Sequence, residues 1–450
     1  MKIRRILSVF LLAVLLTGLL CVVPAQAIED PDIQARAAML VDADTGRVLY
    51  EKNGYTAQYP ASITKVMVAL LVLEAVDQGD LRMDQEITAT ESSLANLTPD
   101  SSTADIEAGE TLTVEQLLYC MLLVSANETG DILGEAMYGS DTAMVEQMNR
   151  RAAELGCTNT HFANTSGLHD PNHYISPWDI YLIAREALKH DTFVTICSSK
   201  SYTVPETNMH QQRDLHTTNA LISNWRSTGY LYEGATGIKT GTTQEAGHCL
   251  LASATRNGRT LISIVLGAGI SSEEDGYRTM SFTETSRLFD WGFDNFTNLT
   301  VLEEEKLYAV PVELSKETNT VMVHPERTTQ AVLPYDLDPE ADLTYTLDLP
   351  TSVDAPVTAG EQLGTVTVSY NGQDYVTVPL LALNDVPVSR FLVGKRAVEA
   401  FFARSTVRIA LVVLAVLIVL LLIWRLVRPR RRYGRGGRRS LHSSYRGRRR

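Results

Sequence analysis

Cysteine is scarce in this 450-residue chain, five in all, and no two are spaced as a C-x-x-C pair. Cys120, Cys157, Cys197 and Cys249 lie far apart in sequence, which points away from a disulfide framework. Cys120 falls in an apolar helix pattern and Cys249 in an apolar strand pattern, so buried free thiols are the expectation. No repeat of solenoid length runs through the sequence. Basic charge is missing where a nucleic-acid binder would need it. All 53 acidic residues lie between residues 28 and 406, with only 24 of the 40 lysines and arginines. A body this acidic excludes nucleic acid as a natural partner. Convincing metal spacing is also missing. His161, His169, Asp170 and His173 are close in sequence, but Pro171 keeps the last two histidines from sharing a helix face. A structural loop is expected there, with no metal and no cofactor.

What is present at the two ends is apolar. Lys2, Arg4 and Arg5 precede a run from Ile6 to Val23, followed by Pro24-Ala25-Gln26-Ala27. This reads as a secretory signal over residues 1–27, cleaved after Ala27. Ile409 to Trp424 holds sixteen residues without a charge, about 24 Å as a helix. Arg408 and Arg425 can snorkel to complete the span, expected over 407–427. From Arg425 to the end there are twelve arginines and no acid. The positive-inside rule places that tail (428–450) in the cytoplasm and the body outside a cell membrane crossed once. The tail suits anionic headgroups of the inner leaflet.

Between the ends, residues 37 to 53 read as strand, turn and strand around Asp44-Thr45-Gly46. A very apolar helix follows Pro60, and another runs from about Leu112 to Val124, with Thr113 and Gln116 spaced as a capping box. Ser176 and Asp179 repeat that spacing, which makes Asp179 a helix-start residue rather than a catalyst. Two apolar strands flank Asn257-Gly258, a strong hairpin signal, and a helix from about Thr283 to Trp291 returns to them. This order fits an α+β body over residues 28–300, with helices around an antiparallel sheet. Short strands with turns then mark a small all-β domain at 301–385, including a hairpin at Asn371-Gly372, and residues 386–406 read as a juxtamembrane linker.

The stretch YPASITKVMVALLVLEAV, residues 59–76, carries Ser62 and Lys65 at the start of the apolar helix. A lysine in such a helix either lies on an exposed rim or belongs to a site that wants an amine beside a hydroxyl. At i, i+3 the two share a face. An amine becomes a base when burial and a second cation lower its pKa, and a serine needs such a base. S-x-x-K alone arises readily by chance. Two further elements strengthen it. Ser125-Ala126-Asn127 sits on a turn after a helix, offering a hydroxyl and an amide. Lys239-Thr240-Gly241, in GATGIKTGTT, offers the second cation, hydroxyls for a carboxylate and a glycine for close approach.

The set S-x-x-K, S-x-N, K-T-G in this order is that of penicillin-binding proteins and class A β-lactamases. With LVDADTGRVLYEKN, NTSGLHDPNHYISPWD, GIKTGTTQEAGHCLLASA and LFDWGFDNF, the chain closely resembles the low-molecular-mass penicillin-binding proteins that are serine-type D-alanyl-D-alanine carboxypeptidases. The resemblance implies a β-lactamase-like serine domain followed by a small β domain. It also implies Ser62 as acylated nucleophile, Lys65 as general base, and Ser125 with Asn127 in proton transfer and substrate positioning. Lys239 and Thr240 would face the terminal carboxylate beside Gly241, and the N–H groups of Ser62 and Thr242 would form the oxyanion hole. Peptidoglycan stem peptides are the implied substrate and β-lactams the implied inhibitors. A DD-endopeptidase, a β-lactamase and a non-catalytic scaffold are the rivals. No acid is placed to activate a deacylating water, Glu146 falling inside a helix pattern, so slow release of penicillin is expected. The C-terminal span and basic tail depart from relatives that end in an amphipathic membrane helix.

Overall fold

The computed structural model describes residues 28–273 and 276–427, so the signal segment and the basic tail lie outside the described residues. The chain divides into two compact units. The first comprises the chain up to Leu299 with Gln330–Asp342; the second comprises Thr300–Thr329 and the chain from Leu343.

The first unit contains β1 (Ala37–Asp42), β2 (Val48–Lys52), α1 (Lys65–Gln78), α2 (Val114–Leu123), α3 (Glu128–Tyr138), α4 (Asp141–Glu154) and α5 (Pro177–Ala187). These are followed by β3 (Ser201–Val204), β4 (Arg213–His216), β5 (Ala235–Thr243), β6 (Gly247–Arg256), β7 (Arg259–Ala268) and α6 (Met280–Asn295). Five strands form one antiparallel sheet in the order β2-β1-β7-β6-β5, with β5 at an edge. Strand β1 reads AAMLVD because both of its faces are covered. Met39 and Val41 join the core built by α1, α2 and α5, while Ala38 and Leu40 join the core built by α6. Side chains alternate along a strand, so a sheet with two covered faces needs apolar residues at every position. Asn257 and Gly258, both at positive φ, turn β6 into β7.

Helix α1 lies inside this body. Every residue from Lys65 to Leu73 is buried, which is why its sequence lacks a polar stripe. Thr113 and Gln116 cap α2 reciprocally, at 3.2 and 2.9 Å. The matching expectation for Asp179 is half met. Ser176 Oγ accepts from Asp179 N at 3.2 Å, but the Asp179 carboxylate accepts from Asn159 N and Thr160 Oγ1, both at 2.7 Å. Ser176 N is already engaged by Asn159 O, so a reciprocal box cannot close.

The second unit holds β8 (Tyr308–Glu313), β9 (Thr320–Pro325), β10 (Leu343–Asp348), β11 (Val353–Asp354), β12 (Gln362–Tyr370) and β13 (Gln373–Ala382). They form one sheet in the order β10-β12-β13-β9-β8-β11. Its core is aliphatic, with Val310, Val323, Val366, Val378 and Leu380 fully or nearly fully buried. The segment expected as a linker instead folds as α7 (Arg390–Ala403). Arg396 on α7 pairs with Asp354 and Glu313 of the same unit. Helix α8 (Ser405–Val427) follows and is long and apolar enough to cross a membrane.

Candidate active site

The sequence pattern indicates one helix carrying both Ser62 and Lys65. Instead, Ala61–Thr64 forms a 3-10 turn and α1 begins at Lys65. Ala61 takes φ +49, outside the right-handed helical region, and the regular α-helix begins only at Lys65. Three residues per turn bring positions i and i+3 into line. Lys65 Nζ lies 3.0 Å from Ser62 Oγ.

Two more acceptors surround the amine. Asn127 Oδ1 is 2.8 Å and Ser166 O is 2.7 Å from Nζ, and Lys65 has no exposed surface. The Ser166 carbonyl can come this close because residue 167 is glycine. At φ +84, a Cβ there would fall 1.9 Å from Ala61 O. Thr64 Oγ1 donates to Ala61 O at 2.8 Å and meets His173 Nε2 at 2.8 Å, while His173 Nδ1 accepts from Ala163 N. That bond makes Nδ1 the acceptor and Nε2 the N–H, so the ring donates to Thr64.

Ser125 and Asn127 occupy the turn between α2 and α3, where Ser125 takes φ +65. Both are nearly buried, and no described group hydrogen-bonds the Ser125 hydroxyl. Edge strand β5 closes the other side. A Cβ on Gly241 would lie 2.9 Å from Ser62 N, so this glycine lets β5 press against the serine turn. Lys239 is buried, its Nζ donating to Thr240 O at 2.9 Å. Thr240 Oγ1 and Thr218 Oγ1 are 2.5 Å apart. Thr242 is exposed, its hydroxyl 3.3 Å from His248 Nδ1. Thus Ser62, Lys65 and Asn127 bond directly and Gly241 abuts them. Thr240 and Thr242 bond to neighbours instead.

A profile described as D-alanyl-D-alanine carboxypeptidase matches residues 24–269, more than half of the chain. The chain belongs to the D-alanyl-D-alanine carboxypeptidase family. A second profile, penicillin-binding protein 5 C-terminal domain, matches residues 296–388. D-alanyl-D-alanine carboxypeptidase DacF of Bacillus subtilis is 29% identical over 360 residues, 80% of this chain and 87% of that one. DacC of Escherichia coli is 28% identical over 369 residues, 81% and 88% of the two chains. The crystal structure of penicillin binding protein 5 from Haemophilus influenzae superposes with a TM-score of 0.65 at 28% identity, covering 80% of this chain and all of that one. This is a low-molecular-mass penicillin-binding protein, a serine-type hydrolase.

Electrostatics in this carboxypeptidase favour a neutral amine at Lys65. Burial, and then the Lys239 charge, hold it well below the ordinary lysine range, while Glu128 and Asp131 oppose them. Burial brings Lys239 to about 7. Burial likewise lowers His173 to about 4, so its ring is neutral at physiological pH. All four described cysteines are free, and burial pushes Cys120 up to about 12 and Cys249 to about 11. Among the described residues no group of three or more His, Cys, Asp or Glu side chains that could hold a metal ion comes together. Sequence reasoning missed Ser166, Gly167, His173 and Thr218 as parts of the site. The first three lie in NTSGLHDPNHYISPWD, whose glycine was the one available signal.

Proposed function

We propose that Ser62 is the nucleophile and Lys65 its base in removing the terminal D-alanine from peptidoglycan stem peptides. The observation that carries this reading is the environment of one nitrogen. A neutral Lys65 amine has two protons and a lone pair. Asn127 Oδ1 and Ser166 O take the protons, leaving the lone pair for the Ser62 hydroxyl 3.0 Å away. Ser62 Oγ bonds to the carbonyl carbon of the penultimate D-alanine as its proton passes to Lys65. The peptide bond breaks, that proton goes to the leaving amine, and water then hydrolyses the ester. The N–H groups of Ser62 and Thr242 stabilise the oxyanion, helped by the closeness of β5 to the serine turn. Ser125 relays protons, and Lys239 with Thr240 receives the substrate carboxylate.

A β-lactam is attacked at the same atom, but its leaving nitrogen stays tethered, so the acyl-enzyme persists. Slow release is supported by the engagement of the buried Asp131, whose two oxygens accept from Thr165 and Asn96. Helix α8 crosses the membrane once, with both folded units on the outer side. The test is labelling by a fluorescent penicillin, alongside D-alanine release from a pentapeptide ending in D-Ala-D-Ala. Wild type should do both and Ser62→Ala neither; a label that persists on Ser62→Ala refutes the nucleophile.

A further inference from the structure

Lys65 and Lys239 are buried in one site, and buried like charges are costly without a counter-charge. The carboxylates that act on Lys65 both come from α3: Glu128 and Asp131. Their surroundings differ. Asp131 is used on both oxygens, Oδ1 accepting from Thr165 Oγ1 at 2.5 Å and Oδ2 from Asn96 Nδ2 at 3.0 Å. Those bonds account for it as a strut between α3 and its neighbours. Glu128 is 1% exposed, and only Oε1 has a hydrogen-bond partner, Ala104 N at 2.8 Å. Its Oε2 is buried without one. Burial raises the Glu128 pKa above the ordinary carboxylate value, and the N–H groups of Glu128 itself, Ala104 and Ile106 with the Thr103 hydroxyl work against that rise without any of them reaching Oε2.

The segment that gathers around this carboxylate borders the catalytic turn. Asn127 N donates to Ser102 O at 2.8 Å, while the Asn127 side chain accepts from Lys65. One residue therefore couples the segment to the amine. From the far side Arg213 of β4 donates to Ala104 O and pairs with the fully buried Glu110. Strand β4 leads to Thr218, whose N–H donates to Leu123 O at the end of α2. Segment 102–104 is thus held between the Asn127 turn and β4, and Glu128 is its inner anchor.

We propose that Glu128 is a positioning residue of this site, holding segment 103–106 against the Asn127 turn and supplying Lys65 with the negative charge that offsets Lys239. This rests on Lys65 being the base. The titratable groups facing Lys65 are Lys239 from β5, Glu128 and Asp131 from α3, and His173 from the loop before α5. The buried thiol of Cys120 on α2 faces Glu128 and is neutral below pH 9. Removing the Glu128 charge leaves Lys239 less opposed, so Lys65 gives up its proton at lower pH.

The experiment is the rate of Ser62 acylation by a fluorescent penicillin between pH 5 and 9, in the full chain. Glu128→Gln keeps an oxygen for Ala104 N and removes only the charge. Its acid limb should move down by about one pH unit, with an unchanged near-ultraviolet circular dichroism spectrum. An acid limb at the wild-type position overturns the charge assignment. Glu128→Ala removes the anchor as well, and should acylate about tenfold more slowly than Glu128→Gln at the plateau. Equal plateau rates for the two variants overturn the holding role. A Ser62→Ala chain that still takes the label would instead refute the nucleophile, an outcome distinct from both.

Discussion

The first unit buries Lys65, Lys239, Glu128, Asp131 and His173, whereas the second buries valines, leucines and alanines, with Thr329 and Ser369 as the polar residues under a tenth exposed among those described. The aliphatic core gains stability in proportion to the area it removes from water, and no one side chain there has an obligatory partner. The polar cluster works differently. Each buried group is tolerable only because a particular donor or acceptor meets it, often from far along the chain. Disturbing the aliphatic core should change stability and leave chemistry alone. Disturbing the polar cluster should change chemistry even where the fold survives.

Three substitutions test this contrast. Gly167→Ala places a Cβ against Ala61 O and must push the Ser166 carbonyl away from Lys65. Penicillin acylation should slow about 100-fold. A wild-type acylation rate would break the link between that glycine and the amine. His173 gives a pH-dependent effect. Its folded value of about 4 lies below the unfolded value near 6.5. Its contribution to stability is complete above the unfolded value. As pH falls between the two, the unfolded chain takes up a proton that the folded chain refuses. About 3 kcal/mol should be lost by pH 4. Urea melts at pH 7 and 4.5 would show this, and His173→Gln should flatten the difference; an equal slope in the variant would place the acid sensitivity elsewhere. Leu380→Ala, in the aliphatic core, should cost that unit about 2–5 kcal/mol by calorimetry and leave acylation unchanged. A slowed acylation there would erase the contrast.

Much of the fold was legible because it is encoded over short distances. The Asn257-Gly258 hairpin, the Thr113–Gln116 cap and the apolar run of α8 each depend on residues within a few positions of one another. The three motifs were legible too, since a hydroxyl, an amine and a glycine at those spacings and in that order rarely fall together by chance. Less legible was the entry to α1. The i, i+3 spacing suits an α-helix and a 3-10 turn alike, so it could not tell that Ala61–Thr64 forms the tighter turn. Only the reciprocal half of the cap expected of Asp179 is missing, because its carboxylate is taken from farther along the chain. Asn159 and Thr160 compete for its carboxylate from 20 and 19 residues upstream.

By itself the sequence determined which groups are available and which local elements carry them, because side-chain spacing and backbone preference act along the chain. The state of the reactive amine was decided by tertiary structure alone. Its acceptors lie 62 and 101 residues away, and its opposing cation, Lys239, comes from a strand at the far edge of the sheet. Desolvation and charge are properties of a volume, and only folding assembles that volume.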